Sequence, residues 1–529
     1  MSTVPLPPGL SASALDAALA AFERIVGGEH VHRDDALVAE FADPYGYQPE
    51  NPYRPSAVVQ PGSVEEIQAI VVAAAEHGVP IWTNSQGRNN GYGGGAPRVN
   101  GSVVVNLRRM NRILEVDEEL GYAVLEPGVT FFDLYNHLRE NGYKLWADVP
   151  DIGWGSVIGN ALDHGYGYTP YGDHASQLCG IEVVLPSGEL LRTGMGGLPE
   201  SRTWHLQKRG FGPSLDPLFM QSNLGIVVQA GVWLMPQPEV WRANYVYLDE
   251  EHQIGALIDA LRPLMVSGVI NHRVSIANLL ARAPSMSRRA DWYQGEGPIP
   301  PEVLKRMSEE TGWAAWNARI GFYGSNAVVD AQLETLREAV KDVPGARLVS
   351  RKYAGDVARE DVEGPDELLA GIPSMHHLNL LKWFGTETGG HIGYAPIAPL
   401  RGGDADTLMG LMKEQVAKHG LDFAMAFALQ PRSMYLIALI FFDSAEKDMV
   451  RRAWDLTESL VREAGALGYG EYRSHLNFMD LVGDQFSFND HVQRRVLTTI
   501  KDALDPAGVL SPGKQGIWPR AARIEKEAR

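Results

Sequence analysis

At 529 residues the chain is several times longer than the roughly 100–200 residues of one domain, which excludes a single small module and makes two large domains the expectation. Its net charge of −18, with no long basic block to offset it, argues against nucleic acid or an anionic membrane surface as the main partner. The one cysteine, Cys179, excludes an intrachain disulfide and a cysteine-only metal cluster, and it suits a reducing compartment, with the cytoplasm as the default.

In chain order, residues 1–22 carry no Lys or Arg ahead of an apolar core and contain Pro5, Pro7 and Pro8, so they do not read as a signal peptide. Residues 55–61 read as a strand. Ser63 and Glu66 then form a capping box before the helical apolar spacing Ile67, Ile70, Val71 and Ala74, which ends at Gly78. Residues 79–82 complete a β-α-β start. Strand-like segments follow at 102–107, 122–126, 181–191 (interrupted by the turn Pro186-Ser187-Gly188) and 226–235. A helix is expected over about 130–140, capped by Thr130 and ended by Gly142. From Pro236 the pattern changes: helical stretches near 253–266, 331–340 and 445–464 alternate with strand-like runs at 318–323 and 435–442, which suggests a second α+β domain. The tail 470–529 reads as turn-rich. The apolar run 434–442 falls far short of the about 20 residues needed to cross a bilayer.

Several segments carry possible chemistry. Ser85-Gln86-Gly87-Arg88-Asn89-Asn90-Gly91-Tyr92-Gly93-Gly94-Gly95-Ala96 is a strand followed by a glycine-rich turn, whose backbone N–H groups suit a diphosphate as well as an ordinary surface loop. Although Gly91 to Ala96 satisfies G-x-G-x-x-A, Pro97 and a strand follow where a helix must open, so it is no Rossmann fingerprint. The P-loop-like run from Gly508 to Lys514 fails at Gln515, where Ser or Thr is required. His30/His32 and His376/His377 lack ligand spacing, and no metal is assigned. Asp151 lies in Asp148-Val-Pro150-Asp151-Ile-Gly153-Trp154-Gly155-Ser156, where a solvated turn carboxylate is the ordinary reading. Tyr472-Arg473 pairs a phenol with a fixed cation, suited to an oxyanion or to a surface salt bridge.

Taken in order, a set of motifs resembles the vanillyl-alcohol oxidase and eugenol oxidase family of flavoproteins, whose relatives include the flavoprotein subunit of 4-cresol dehydrogenase. It comprises Gly87-Arg-Asn-Asn-Gly-Tyr-Gly-Gly, Met110-Asn-Arg-Ile-Leu-Glu-Val, Leu125-Glu-Pro-Gly-Val-Thr130, residues 150–160, Gly167-Tyr-Thr-Pro-Tyr-Gly-Asp-His174, Phe219-Met-Gln-Ser-Asn-Leu-Gly-Ile226, Gly389-Gly-His391-Ile-Gly393, Gly470-Glu-Tyr-Arg473 and residues 505–516. The resemblance spans most of the chain. It implies an α+β, two-domain FAD-binding fold: an FAD domain from residues 1–237 and 469–529, discontinuous in sequence, and an α+β cap from 238–468.

The same resemblance implies that Ser85, Gln86, Gly87, Arg88, Asn89, Asn90 and Gly91 hold the FAD diphosphate. Ser156, Gly159, Asn160, Ile226 and Arg473 join them around the cofactor, and His391 attaches it covalently. Tyr92, Tyr472 and Arg473 take the positions that bind a phenol oxygen, and Asp151 that of the catalytic carboxylate. The implied reaction is oxidation of a para-substituted phenol by hydride transfer from the benzylic carbon through a quinone methide. Dioxygen is the expected acceptor, with hydrogen peroxide formed, and a cytochrome-coupled dehydrogenase is the alternative; His391, where the cresol-dehydrogenase branch uses tyrosine, leans toward the oxidase. A homodimer is also implied. Tyr166, where a small aliphatic is usual, and Ala395, where serine occurs, depart from the family pattern at pocket positions. Arg432-Ser-Met-Tyr435-Leu replaces a run that normally reads Arg-Glu-Met-His-His.

Overall fold

The computed structural model describes residues 5–33, 35–47, 53–385 and 387–527. Near the N-terminus the helix Val64–His77 connects strands Ala57–Val59 and Ile81–Asn84, which both lie parallel to Val103–Asn106 on either side of it. Ser63 accepts from the Glu66 amide as expected of an N-cap, while the Glu66 carboxylate reaches the Gly62 amide instead of closing back on Ser63. Gly78 ends the helix in the left-handed conformation. A second, antiparallel sheet has the strand order Ile113–Asp117, Tyr122–Leu125, Ile226–Trp233, Leu178–Val184, Leu190–Arg192. Beside it the helix Phe131–Glu140 begins in a full capping box between Thr130 and Asp133.

The middle of the chain builds one large antiparallel sheet, ordered Arg347–Ala354, Val240–Leu248, Trp316–Gly324, Val274–Asn278, Met425–Leu429, Ser433–Asp443, Gly389–Tyr394, with Ile397–Pro399 also paired to Ser433–Asp443. Its residues alternate between two faces. Val246, Leu248, Val274, Ile276, Trp316, Ala318, Ile320, Leu436, Ala438 and Ile392 join the buried core under the helices Ile254–Ser267, Asn326–Val340, Gly402–His419 and Lys447–Ala466. The intervening positions, including Tyr245, Arg319, Tyr323, His391 and Tyr435, therefore point to the opposite face. There Trp241, Ala243 and Tyr245 pack with Tyr168, and Trp146 joins them from the N-terminal part.

The tail departs from its turn-rich reading. It carries the helices Met479–Gln485 and Phe488–Leu504, the latter leaving α geometry at Asn489–His491. The chain then returns to the first sheet: the Ile81 amide donates to the Val509 carbonyl at 2.8 Å and the Ser511 amide to the Ile81 carbonyl at 2.7 Å. Lys501, fully buried, fixes this return through an ion pair with Asp505 at 2.7 Å and donates to the Asn223 and Leu510 carbonyls. The local Lys501–Asp505 pair holds the end of the helix, and the long-range bonds of Lys501 to the Asn223 carbonyl and of Ile81 to Val509 and Ser511 tie the tail to the rest of the chain. Among the described residues no helix is long and apolar enough to cross a membrane.

Candidate active site

A cleft open to solvent lies where the glycine loop, the second sheet and the returning tail meet. Its walls include Ser85, Gln86, Gly87, Arg88, Asn89, Ser156, Gly159, Asn160 and Ile226, together with Tyr92 and Arg473. Lys514 and Gln515 of the tail also line it. Asn90 and Gly91 are not on this wall: the Asn90 carboxamide accepts the Tyr45 hydroxyl at 3.0 Å, and Gly91 packs on His391. A Cβ at Gly91, whose φ is +78°, would lie 2.6 Å from His391 Cε1, so only glycine lets the loop approach that ring.

The cleft fits a dinucleotide. Among the described residues, the amides of Gln86, Gly87, Arg88 and Asn89 donate to no group of the chain, leaving a row of N–H donors on the cleft wall. The short helix Val157–Leu162 is held against the cleft by Ser156, which accepts from the Gly159 amide and donates to the Pro127 carbonyl. Asn160 is fixed by His174 at 2.6 Å, and His174 by the buried Asp148 at 2.6 Å, which also accepts from the amides of Tyr168 and Thr169. In the large antiparallel sheet, His391 is buried and its Nδ1 has no partner among the described residues. Burial, together with the nearby His377 and His475, pushes its pKa down to about 3, so it is a neutral imidazole.

The second half of the site is made of side chains. Arg473 lies over the Tyr92 ring, its carbon 4.3 Å from the ring centre, and donates to the Asn89 carboxamide. Burial raises the Tyr92 phenol pKa despite Arg473, so Tyr92 remains a donor. Burial by itself lowers Arg473, and the charges of Tyr92, Asp163, Tyr472 and Tyr166 reverse that, leaving it a firm cation. Tyr472 meets Tyr435 edge to face at 4.6 Å, and Tyr435 stacks on Tyr166 at 6.2 Å. Burial raises the Tyr166 phenol pKa, and the neighbouring Tyr472, Tyr168 and Asp151 raise it further against Arg273. Asp151 is half-buried and accepts from the Tyr168 hydroxyl at 2.7 Å; Arg319 lies over the Tyr168 ring at 4.2 Å. Ala395 is buried beside this cluster, its carbonyl taking the Tyr472 amide.

The structure therefore brings Tyr92, Tyr472, Arg473, Tyr166 and Asp151 into one group. It adds residues that had carried no chemical assignment: Tyr168, His174 and Asp148, which stand inside quoted motifs, and Arg273 and Arg319, which no local pattern marks. Only strand alternation could have found Arg319, as a polar residue among buried neighbours.

Comparison with known proteins agrees with the fit of the cleft. Residues 55–194 match a model described as FAD binding domain, and residues 384–515 one described as FAD linked oxidases, C-terminal domain. The 4-cresol dehydrogenase [hydroxylating] flavoprotein subunit of Pseudomonas putida is 36% identical over 520 residues, covering 97% of both chains. The chain belongs to the vanillyl-alcohol oxidase family. Its cofactor is FAD, as in that family's flavoproteins. The solved 4-ethylphenol oxidase from Gulosibacter chungangensis, a family member in complex with isoeugenol, superposes with a TM-score of 0.93 at 38% identity, covering 98% of this chain and 100% of that one. A p-cresol methylhydroxylase structure with substrate bound gives 0.92 at 34% identity, covering 97% and 99%.

Proposed function

We propose that the protein is an FAD-dependent oxidase of para-substituted phenols, acting on small 4-alkylphenols, 4-hydroxybenzyl alcohols and guaiacol analogues. The observation that carries this reading is that Arg473 lies over Tyr92, while Tyr472, Tyr435 and Tyr166 form one aromatic cluster on which both Arg473 and Asp151 act. Residues 1–237 and 469–529 hold the FAD in this reading, with 238–468 as the cap. The row of free amides at 86–89 would hold its diphosphate, and His391 would hold the isoalloxazine covalently. Bound FAD would supply a two-electron acceptor, reoxidised by dioxygen with formation of hydrogen peroxide.

The chain's own residues do the rest. Holding a phenol of pKa about 10 as phenolate at pH 7 needs about 4 kcal/mol of preferential anion stabilisation. The guanidinium of Arg473 and the hydroxyls of Tyr92 and Tyr472 supply charge-assisted hydrogen bonds in a site shielded from water. The ionised oxygen pushes electron density through the ring and weakens the benzylic C–H bond. Asp151, oriented by the Tyr168 hydroxyl, acts as general base at that carbon: it takes the proton of a water adding to the quinone methide or, from an alcohol substrate, the hydroxyl proton.

Anaerobic mixing of purified protein with 4-ethylphenol is expected to bleach the flavin, and air to restore it with stoichiometric peroxide. An unchanged spectrum across a panel of 4-alkylphenols counts against the phenol reading. Bleaching followed by turnover only with an artificial one-electron acceptor selects the dehydrogenase alternative, which the similarity to 4-cresol dehydrogenase favours. Acid precipitation tests the bond to His391, since a yellow pellet requires it. The expected homodimer is checked by light scattering.

A further inference from the structure

Arg273 immediately precedes the strand Val274–Asn278, in which Val274 and Ile276 enter the helix-covered core. Its side chain lies on the site face of the sheet, with the guanidinium carbon 3.0 Å from the centre of the Tyr166 ring and 4.7 Å from that of Tyr435. It is only 7% exposed. Among the described residues its guanidinium makes no ion pair and no hydrogen bond, and Nη1 is buried without a partner. Three nearby arginines differ. Arg351 is paired with Asp366, Arg473 donates to Asn89, and Arg319 donates to the Pro365 carbonyl.

A guanidinium has five N–H donors in a planar fork that matches a carboxylate. Two aromatic faces compensate part of its desolvation, but they leave the donors at its edge unused. A buried cation without a counter-charge is costly, and an anion brought by a ligand removes that cost. Position identifies the ligand. Arg273 acts electrostatically on Tyr166, Tyr168 and Tyr435, whereas Arg473 is the cation that acts on Tyr92. The two arginines thus serve different tyrosines of one aromatic cluster: Arg473 lies over Tyr92, and Arg273 lies over Tyr166 and Tyr435 and acts on Tyr168, the partner of Asp151.

We infer that Arg273 binds a carboxylate on the substrate's para side chain, so that the favoured substrates are para-substituted phenols whose side chain ends in an acid. The inference rests on the phenol-oxidising reading and specifies its substrate class. Tyr166 and Tyr435, which depart from the family pattern, then serve to carry and orient the arginine.

The test compares 3-(4-hydroxyphenyl)propanoate with its methyl ester on the holoenzyme, because the two share the same benzylic carbon. The acid is expected to exceed the ester in kcat/KM by about tenfold or more. In Arg273→Gln that ratio should fall by about 30-fold, chiefly through KM, and Arg273→Lys should recover part of it. A wild-type ratio of one or below, or a ratio unmoved by Arg273→Gln, overturns the inference. If Arg273→Gln does not fold, wild-type inhibition decides: 3-phenylpropanoate should inhibit 4-ethylphenol oxidation at about tenfold lower concentration than 3-phenylpropanamide, and equal inhibition overturns the inference. Bleaching by 4-ethylphenol with indifference to the acid defeats this inference alone. No bleaching by any phenol defeats the reading beneath it.

Discussion

The glycine loop at 85–95 and the site face of the cap sheet line the same active site by opposite means. The loop offers backbone amides, positioned by local turns and by one close glycine contact with His391. The sheet offers side chains, Arg319, His391 and Tyr435, brought together from strands far apart in sequence. A site made of backbone depends on dihedrals and tolerates exchange of many side chains. A site made of side chains depends on register, and exchange of one residue changes its chemistry.

The largest expected effect falls on the side-chain half. Arg473→Ala should slow anaerobic flavin reduction by a 4-alkylphenol about 10³-fold, because the phenolate loses its cation while Tyr92 and Tyr472 remain. Measured per bound flavin by stopped-flow, a loss under tenfold would remove the phenolate argument. Asp151→Asn should cost about 10²-fold, with the pH profile of reduction changed in shape. A profile identical to that of the native enzyme would leave Asp151 a turn residue after all.

Legibility in the sequence follows the same division. The helix Val64–His77, with Ser63 and Gly78 at its ends, and the loop around Gly91 follow from residues adjacent in the chain, so capping and turn chemistry suffice to read them. The roles of Tyr92, Asp151, His391 and Arg473 come only from the ordered family motifs, whereas the contacts of Arg473 with Tyr92 and of His391 with Gly91 belong to the assembled fold. Arg273 had no such signal: an arginine ahead of a short strand looks solvated until Tyr166, from another part of the chain, is laid under it. The tail misled for a related reason, since its helix Phe488–Leu504 is anchored by Lys501 to the Asn223 carbonyl, far away in sequence.

Gly91→Ala probes the backbone half. The added Cβ meets His391 Cε1 at 2.6 Å at a φ of +78°, a cost of about 2 kcal/mol before any cofactor contact is counted. The expected outcome is a lowered ratio of flavin to protein absorbance and a weaker bond to His391, with near-native reduction in the fraction that retains flavin. Full loading with reduction abolished would show that the loop serves the substrate rather than the cofactor, and the contrast between the two halves would fail.

The smallest effect lies within the side-chain half, at the packing of the sheet beside Arg273. His272 is buried; its Nε2 accepts from the Gly321 amide at 2.8 Å and its Nδ1 donates to the Arg273 carbonyl at 2.8 Å, an arrangement that requires the neutral ring. Burial lowers its pKa to about 4, outweighing the hydrogen bond to Arg273. Because the folded value lies below the ordinary 6.5 of an exposed histidine, the unfolded chain binds this proton first as the medium is acidified. Stability from this group is therefore complete above about pH 6.5 and is lost as pH falls toward 4, at up to about 1.4 kcal/mol per pH unit and at most about 3 kcal/mol in total. His391, pushed down further, adds to the slope in the same direction and is common to wild type and variant, so their difference isolates His272. Melting temperatures at pH 7 and pH 5 should show His272→Gln starting lower but losing less over the interval; equal losses would mean that the ring beside Arg273 is already protonated in the folded protein.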